Sequence, residues 1–415
     1  MVQRLKFDPN DFVFQCDWST SDNPAEPMEL YGPGGFHPIF ISQHIISPTT
    51  DWRVMHKLGH GSYATVWLVQ NSATFTWAAL RIDQADHSSP GETDVLESLS
   101  SSPSLEHPVT IIETFWIQGP NGTHRATVTE VVAPLKRTLS RLSTDAVGLK
   151  RLVRGIVEGV VEIHARGIIH CDLHLVNMGI ALPELSKAEH THEEAELVSY
   201  FDAPKVTLVV PQNPMLDLSH HPPYVVESCD MGEFHEQWRD RSAPDIAKFY
   251  DFGNGEAHLE SKPHAAVSVV NDICPPEWAV LRLMGKDHAR SVTFTSACDI
   301  WALGINILSI MSNARAIFNQ SSSWHKQVCD MVELGGNVPS CWEGVHPDFE
   351  SPELLAAANR SDEVWAKYRA RMRTRCASEE DADALVAMLR RILVLDPAAR
   401  PDAAEILLDP WFALS

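Results

Sequence analysis

The sequence predicts an α+β protein of two packed lobes, the first rich in strands and the second mainly helical. Three observations carry this. At 415 residues the chain is too long for one compact core and is expected to divide. Between Asp51 and Ala133 apolar residues alternate with polar ones in short runs broken by Gly, Pro and Asn, the period of half-buried strands. From Asp145 onward the spacing changes. In DAVGLKRLVRGIVEGVVEIHAR, Leu149, Leu152, Val153, Ile156, Val160 and Ile163 fall on one stripe of a helix. The expected boundaries are a poorly ordered arm over 1–28, a first lobe over 29–133, and a second lobe over 134–415 with an insertion at about 181–245.

Composition narrows the function classes. A hydrophobic fraction of 44% excludes a mainly disordered chain, and no apolar run approaches the ~18 residues needed to span a bilayer. The opening MVQRLKFDPNDF carries charges where a secretion signal needs an apolar core. An intracellular protein of the cytoplasm or nucleus, without a membrane partner, is therefore expected. The 8 cysteines are scattered, with no C-x-x-C pair, which suits reduced thiols. A formal charge of -22 argues against nucleic acid and favours basic partners. Acidic charge by itself usually serves solubility.

The first 28 residues show Asn, Asp, Pro and Ser clusters without periodicity, hence the expected arm. ELYGPGGFHPIFI, from Glu29 to Ile41, is punctuated by Gly and Pro and then turns β-like, so it is expected to wrap onto the first lobe. WRVMHKLGHGSYATVWLVQ then reads as strand, turn, strand, the turn being Gly59-x-Gly61-x-x-Ala64-x-Val66. Glycines there let backbone N–H groups approach an anion, although such a turn alone is more often only a β-hairpin. FTWAALRI gives the next strand and carries Arg81. ETDVLESL offers a short helix with Val95, Leu96 and Leu99 on one face, leaving Glu92 or Glu97 to meet Arg81; the spacing E-x-x-V-L-x-x-L favours Glu92. TIIETFWIQ and RATVTEVV, joined by GPNG, complete the sheet, and Ala133-Pro134 follows.

The helix over 145–166 delivers the chain into IIHCDLHLVNMGI, where His170, Asp172 and Asn177 are spaced H-x-D-L-x-x-x-N. The insertion then intervenes, acidic at first, later rich in Pro and His, with strand character at VTLVV. Adjacent His220 and His221 in a Pro-rich loop lack metal-ligand geometry. IAKFYDFGNGEAH brings Asp251-Phe252-Gly253. Further on come Pro275-Pro276-Glu277, the apolar helix that Asp299 opens, and Arg400 in LDPAARP.

In this order and spacing the motifs resemble those of eukaryotic protein kinases. Within them, ELYGPGGFHPIFI, GHGSYATVW, DFGNG with Asn254, the insertion, and ELGGNVPSCW resemble the SR-protein kinases and their fungal relatives. The resemblance covers roughly residues 28–413 and implies the bilobal protein-kinase fold. It also implies an ATP- and Mg2+-dependent transfer to serine or threonine of basic, Arg/Ser-rich proteins, by a monomer with an acidic docking groove. Residue by residue, it implies Asp172 as the base that takes the hydroxyl proton, and Asn177 and Asp251 on magnesium. Leu58, Gly59, Gly61, Ala64, Val66 and Ala79 would surround the nucleotide, Glu130 to Val132 would offer backbone to adenine, and Arg81 would meet the α- and β-phosphates with Glu92 as its ion-pair partner. Glu277 and Arg400 would anchor the activation segment.

Three positions depart from the pattern. Arg81 stands where the family has a strand lysine, and a guanidinium is bulkier and differently aimed. His174 replaces the lysine two residues after the catalytic Asp. Cys171 replaces an arginine that SR-protein kinases also lack, which implies constitutive activity. An alternative reading is a pseudokinase, a binding module with little phosphotransfer. A third takes HCDLH and its downstream Asp as an aminoglycoside-type small-molecule kinase, against which the Pro275-Pro276-Glu277 and Arg400 pair speaks.

Overall fold

Alternation from Asp51 to Thr129 becomes one antiparallel sheet, and the helical periodicity from Asp145 becomes a separate helical body. The computed structural model describes residues 12–14, 25–86, 95–96, 98–99, 105–142, 145–186, 204–211, 218–240, 243–252, 256–257, 273–284, 295–314, 316–318, 323–343, 349 and 351–414. The chain divides into two compact units. Met1–Pro90, Val109–Ala133 and Ala181–Asp240 make the first; Gly91–Pro108, Pro134–Ile180 and Arg241–Ser415 make the second.

In the first unit, after a short strand β1 (Phe12–Phe14), come β2 (His44–Ile46), β3 (Asp51–His60), β4 (Ala64–Asn71), β5 (Trp77–Asp83), β6 (Ile111–Gly119) and β7 (Gly122–Thr129). They form a six-stranded sheet of order β2-β3-β4-β5-β7-β6. Its inward residues, among them Val54, Trp67, Leu80, Phe115 and Val128, make one buried cluster. The GPNG turn closes as a two-residue hairpin, Gly119 opposite Gly122. Gly122 takes φ 134°, which a side chain would resist.

Where the arm is described, β1 pairs antiparallel with the strand Val206–Pro211, and Ala25, Glu26 and Met28 are buried. One expectation about this unit needs correction. The insertion is not an appendage of the second lobe, since Ala181–Asp240 packs within the first unit. Its strand Val206–Pro211 pairs in turn with Tyr224–Val226, and Val209 and Val225 pack with Ala25, Met28, Tyr31 and Phe36. Its helix Met231–Trp238, capped by the Asp230 carboxylate, seats Met231 and Phe234 against Leu68, Trp77 and Val131. Arm and insertion meet at Lys57 of β3. The Cys229 N–H donates to the Lys57 carbonyl at 2.8 Å, while the fully buried Lys57 ammonium pairs with the Glu26 carboxylate. Tyr31 donates its hydroxyl to the same carboxylate. An uncompensated charge there would be costly, so the partner from the arm is part of the unit.

In the second unit, helix α1 (Ala146–His164) starts where Asp145 accepts from the Gly148 N–H, and the predicted stripe is buried. Val95, Leu96 and Leu99 are buried as well. Helix α2 (Pro276–Met284) precedes α3 (Ser296–Ser312). The latter is buried on nearly every side, as its uniformly apolar sequence requires. It ends at Asn313 in the left-handed conformation. Helices α4 (Trp324–Gly335), α5 (Pro352–Asn359), α6 (Ser361–Met372) and α7 (Glu379–Ile392) follow. The expected pair is formed: Arg400, its side chain fully buried, makes a two-pronged ion pair to Glu277 at 2.9 and 2.7 Å. It also donates to the carbonyls of Val394, Ala297 and Leu395, so its donors are used in several directions.

Candidate active site

The loop that carries Asp172 and Asn177 is held by backbone pairing. Strand Met178–Ala181 runs antiparallel to Ala247–Phe249, with Met178 opposite Phe249 and Ile180 opposite Ala247. This places the end of the loop beside the segment that carries Asp251. Tyr250 ties the two together. Its N–H donates to the Asn177 carbonyl at 3.1 Å, and its hydroxyl reaches the carbonyls of Val176 and Met178 at 2.8 and 3.1 Å. Burial pushes that hydroxyl well up, with the Asp251 charge adding and Arg137 opposing, so it stays a neutral donor.

Within the loop, the buried Asn177 amide donates to the Asp172 carbonyl at 3.0 Å and to its Oδ2 at 3.2 Å. His174 Nε2 lies 3.5 Å from the same Oδ2. The loop is braced by Asp299 of α3, whose carboxylate accepts the N–H groups of His170 at 2.7 Å and Cys171 at 2.9 Å, with His164 Nε2 3.0 Å away. Cys171 has φ 62° and Asp251 φ 61°, a region that non-glycine residues occupy only when their surroundings hold them there. For Cys171 the Asp299 bond is such a hold. Asn306 donates to the Leu173 carbonyl at 2.7 Å, and the buried His170 ring lies 4.6 Å from that of Phe252.

In the first unit, register aligns a row across four strands: Gly59 opposite Val66, Val66 opposite Arg81, Arg81 opposite Thr127. Residues directly opposite share a face, so the glycine turn, Val66 and Arg81 belong to one surface. The turn closes with Gly61 N–H donating to the Ala64 carbonyl at 2.8 Å. A Cβ added to Gly59 or Gly61 would meet no atom within 4 Å. Packing does not require glycine there; what glycine supplies is backbone accessible to whatever approaches the turn. Ala64 and Ala79 are buried, and Leu58 packs on the cluster of Leu68 and Val131. Glu130 donates its N–H to the Thr110 carbonyl at 3.1 Å and accepts the Thr110 N–H on its carboxylate at 2.9 Å. Val132 is half-buried.

Arg81 donates from Nε to Asp83 at 2.9 Å. Glu92, the partner expected from sequence, lies outside the described residues, as do Glu97, Gly253 and Asn254. Asp83, which touches Arg81, and Asp299, His164 and Asn306, which hold the loop of Asp172, are contacts that sequence reasoning missed. Asp83 could have been found, because two residues along a strand return to the same face.

Comparison with known proteins bears on this arrangement. No family model matches the chain. It is 26% identical over 184 residues to the serine/threonine-protein kinase SKY1 of Saccharomyces cerevisiae, covering 40% of this chain and 24% of that one. Human SRSF protein kinase 3 is 29% identical over 174 residues, 38% of this chain and 30% of its own length. A serine/threonine protein kinase of Aspergillus fumigatus is 23% identical over 412 residues, 93% of this chain and 90% of that one. The crystal structure of the PF14_0431 kinase domain superposes with a TM-score of 0.57 at 14% identity, covering 91% of this chain and 98% of that domain. The chain is a homologue of the SR-protein kinases and has the protein-kinase fold.

A protein kinase works with ATP and magnesium, and the donor set of this homologue suits both. Asn177 and Asp251 offer hard oxygen atoms, and magnesium is usually held by one or two such groups together with substrate phosphates. No cluster of three or more His, Cys, Asp or Glu side chains that could hold a metal exists among the described residues. A site completed by the nucleotide's own phosphates does not need one. Among the described residues no helix is long and apolar enough to cross a membrane.

Proposed function

We propose that this SR-protein-kinase homologue transfers the γ-phosphoryl group of ATP to serine or threonine in basic, Arg/Ser-rich proteins, as a monomer of the cytoplasm or nucleus. The observation that carries the reading is the frame in the second unit: the Asn177 amide ties Asp172, the Asn177 carbonyl takes the N–H of Tyr250 beside Asp251, the strand after Asn177 pairs with the one before Tyr250, and Asp299 braces the loop. Asp172 accepts the proton of the attacking hydroxyl. Asn177 and Asp251 would hold magnesium, which supplies charge neutralisation at the phosphate oxygens when bound. In the first unit the N–H groups of the Gly59–Gly61 turn bind phosphate, with Leu58, Ala64, Val66 and Ala79 around the nucleotide, Glu130 and Val132 toward adenine, and Arg81 on the α- and β-phosphates.

One observation favours the pseudokinase alternative. The Arg81 guanidinium is engaged by Asp83, so it must divide its fork between a carboxylate and phosphate. Displacement of about 1 Å costs on the order of 100-fold in rate. The test is a radiolabelled-ATP assay with an Arg/Ser-repeat peptide, comparing wild type, Arg81→Lys and Asp172→Asn. Wild type should exceed the Asp172→Asn floor, and Arg81→Lys should raise kcat/KM with nucleotide affinity changing less. Wild type and Arg81→Lys both at the floor would overturn the enzyme reading.

A further inference from the structure

His174 departs from the family pattern, and its surroundings give the departure a role. It caps the short 3₁₀ turn Leu175–Asn177, with the Val176 N–H donating to His174 Nδ1 at 3.1 Å. A backbone N–H can only donate, so Nδ1 accepts and the proton of the neutral ring is confined to Nε2. Nε2 lies 3.5 Å from Asp172 Oδ2, the oxygen that the Asn177 amide reaches at 3.2 Å. The Asn177 amide donates to this carboxylate oxygen from one end of the turn, and the His174 Nε2–H stands 3.5 Å from it at the other, in electrostatic contact and a small side-chain rotation short of a hydrogen bond. The His174 and Asp172 side chains are only 16% and 13% exposed, so the contact is largely sheltered from water.

A lysine at this place would carry a point charge on a flexible four-carbon stem, free to reach past Asp172. An imidazole with one nitrogen committed to the backbone has no such reach. Its remaining N–H faces Asp172.

We propose that His174 is a positioning residue for Asp172, fixing the plane of its carboxylate as an Nε2–H donor of locked tautomer instead of delivering a cation to the transferred phosphoryl group. The inference rests on the reading of Asp172 as proton acceptor and deepens it. Holding Oδ2 from two sides limits rotation of the carboxylate, so the gain lies in the chemical step and not in peptide binding.

Three substitutions separate capping from positioning. His174→Asn keeps an acceptor near the Nδ1 position for Val176 but no donor that reaches Asp172. His174→Gln keeps a donor at that reach, and His174→Ala removes both functions. His174→Asn should melt with the wild type yet lose roughly tenfold in kcat at unchanged peptide KM. His174→Gln should recover most of kcat, and His174→Ala should lose both kcat and melting temperature. Nitrogen NMR of histidine-labelled protein should show His174 unprotonated at Nδ1 and protonated at Nε2. Wild-type kcat in His174→Asn, no recovery in His174→Gln, or a protonated Nδ1 would overturn the inference. Asp172→Asn runs alongside, and a wild type no faster than it rejects the catalytic reading itself. In that event the Asp172 carboxyl carbon signal still decides: it must move in His174→Asn and return in His174→Gln if His174 holds Asp172.

Discussion

Asp299 gathers three donors onto one buried carboxylate, and their effect on its ionisation can be measured. Burial works to raise the carboxyl, but the hydrogen bond and charge of His164, with the charge and N–H of His170, outweigh it and hold the group below the usual carboxylate range. Because the folded value lies below the unfolded one, about 3.9, the native state favours the ionised form. The stabilisation is complete above the unfolded value and is lost as pH falls through the folded one. Wild type should therefore lose melting temperature more steeply below roughly pH 4 than Asp299→Asn, and should melt higher at neutral pH. Acid titrations followed by circular dichroism check this; parallel curves would show that Asp299 does not depend on its charge. In the sequence Asp299 is legible only as an acid opening an apolar helix, because its loop partners lie more than a hundred residues away. Asp172, Asn177 and Asp251 are legible because the chemistry asks for those residue types at nearly fixed local spacing.

Among the elements, the composite of arm, β3 and insertion was the least legible. Its strands at Phe12–Phe14 and Tyr224–Val226 have only 3 residues each, too short for a period to show. The clusters of Pro, Asn and Ser around them read as loop. By contrast β3 to β7 and α1 each repeat their period often enough to be recognised. The composite stands on the buried Glu26–Lys57 pair, so Glu26→Ala should destabilise the first unit, by about 3–5 kcal/mol where Lys57 stays charged, and by less as pH rises above about 7, the value to which burial draws the Lys57 amine. Adding Lys57→Met should restore much of the loss. Urea unfolding of the two variants measures it, and wild-type stability in Glu26→Ala would show that the arm does not support the sheet.

For the whole molecule, the formal charge of -22 suits basic substrates through long-range attraction. Binding of an Arg/Ser-repeat peptide, followed by fluorescence anisotropy, should weaken as salt rises to 0.15 M, where exposed charges are screened within about 8 Å. An acidic peptide of equal length should bind less; equal binding of the two would reject charge-guided docking. The interleaving of the two units along the chain has a consequence for synthesis. The first unit needs Ala181–Asp240 as well as the residues up to Ala133. At roughly 5–20 residues per second, a ribosome takes on the order of 5–20 s to pass from one to the other. Throughout that window the nascent sheet lacks the segment that covers Phe36 and pairs β1, leaving apolar surface and an open strand edge exposed to neighbouring chains. A gene fragment ending at Ala133 makes that exposure permanent, so it should yield aggregate where the full chain yields folded protein.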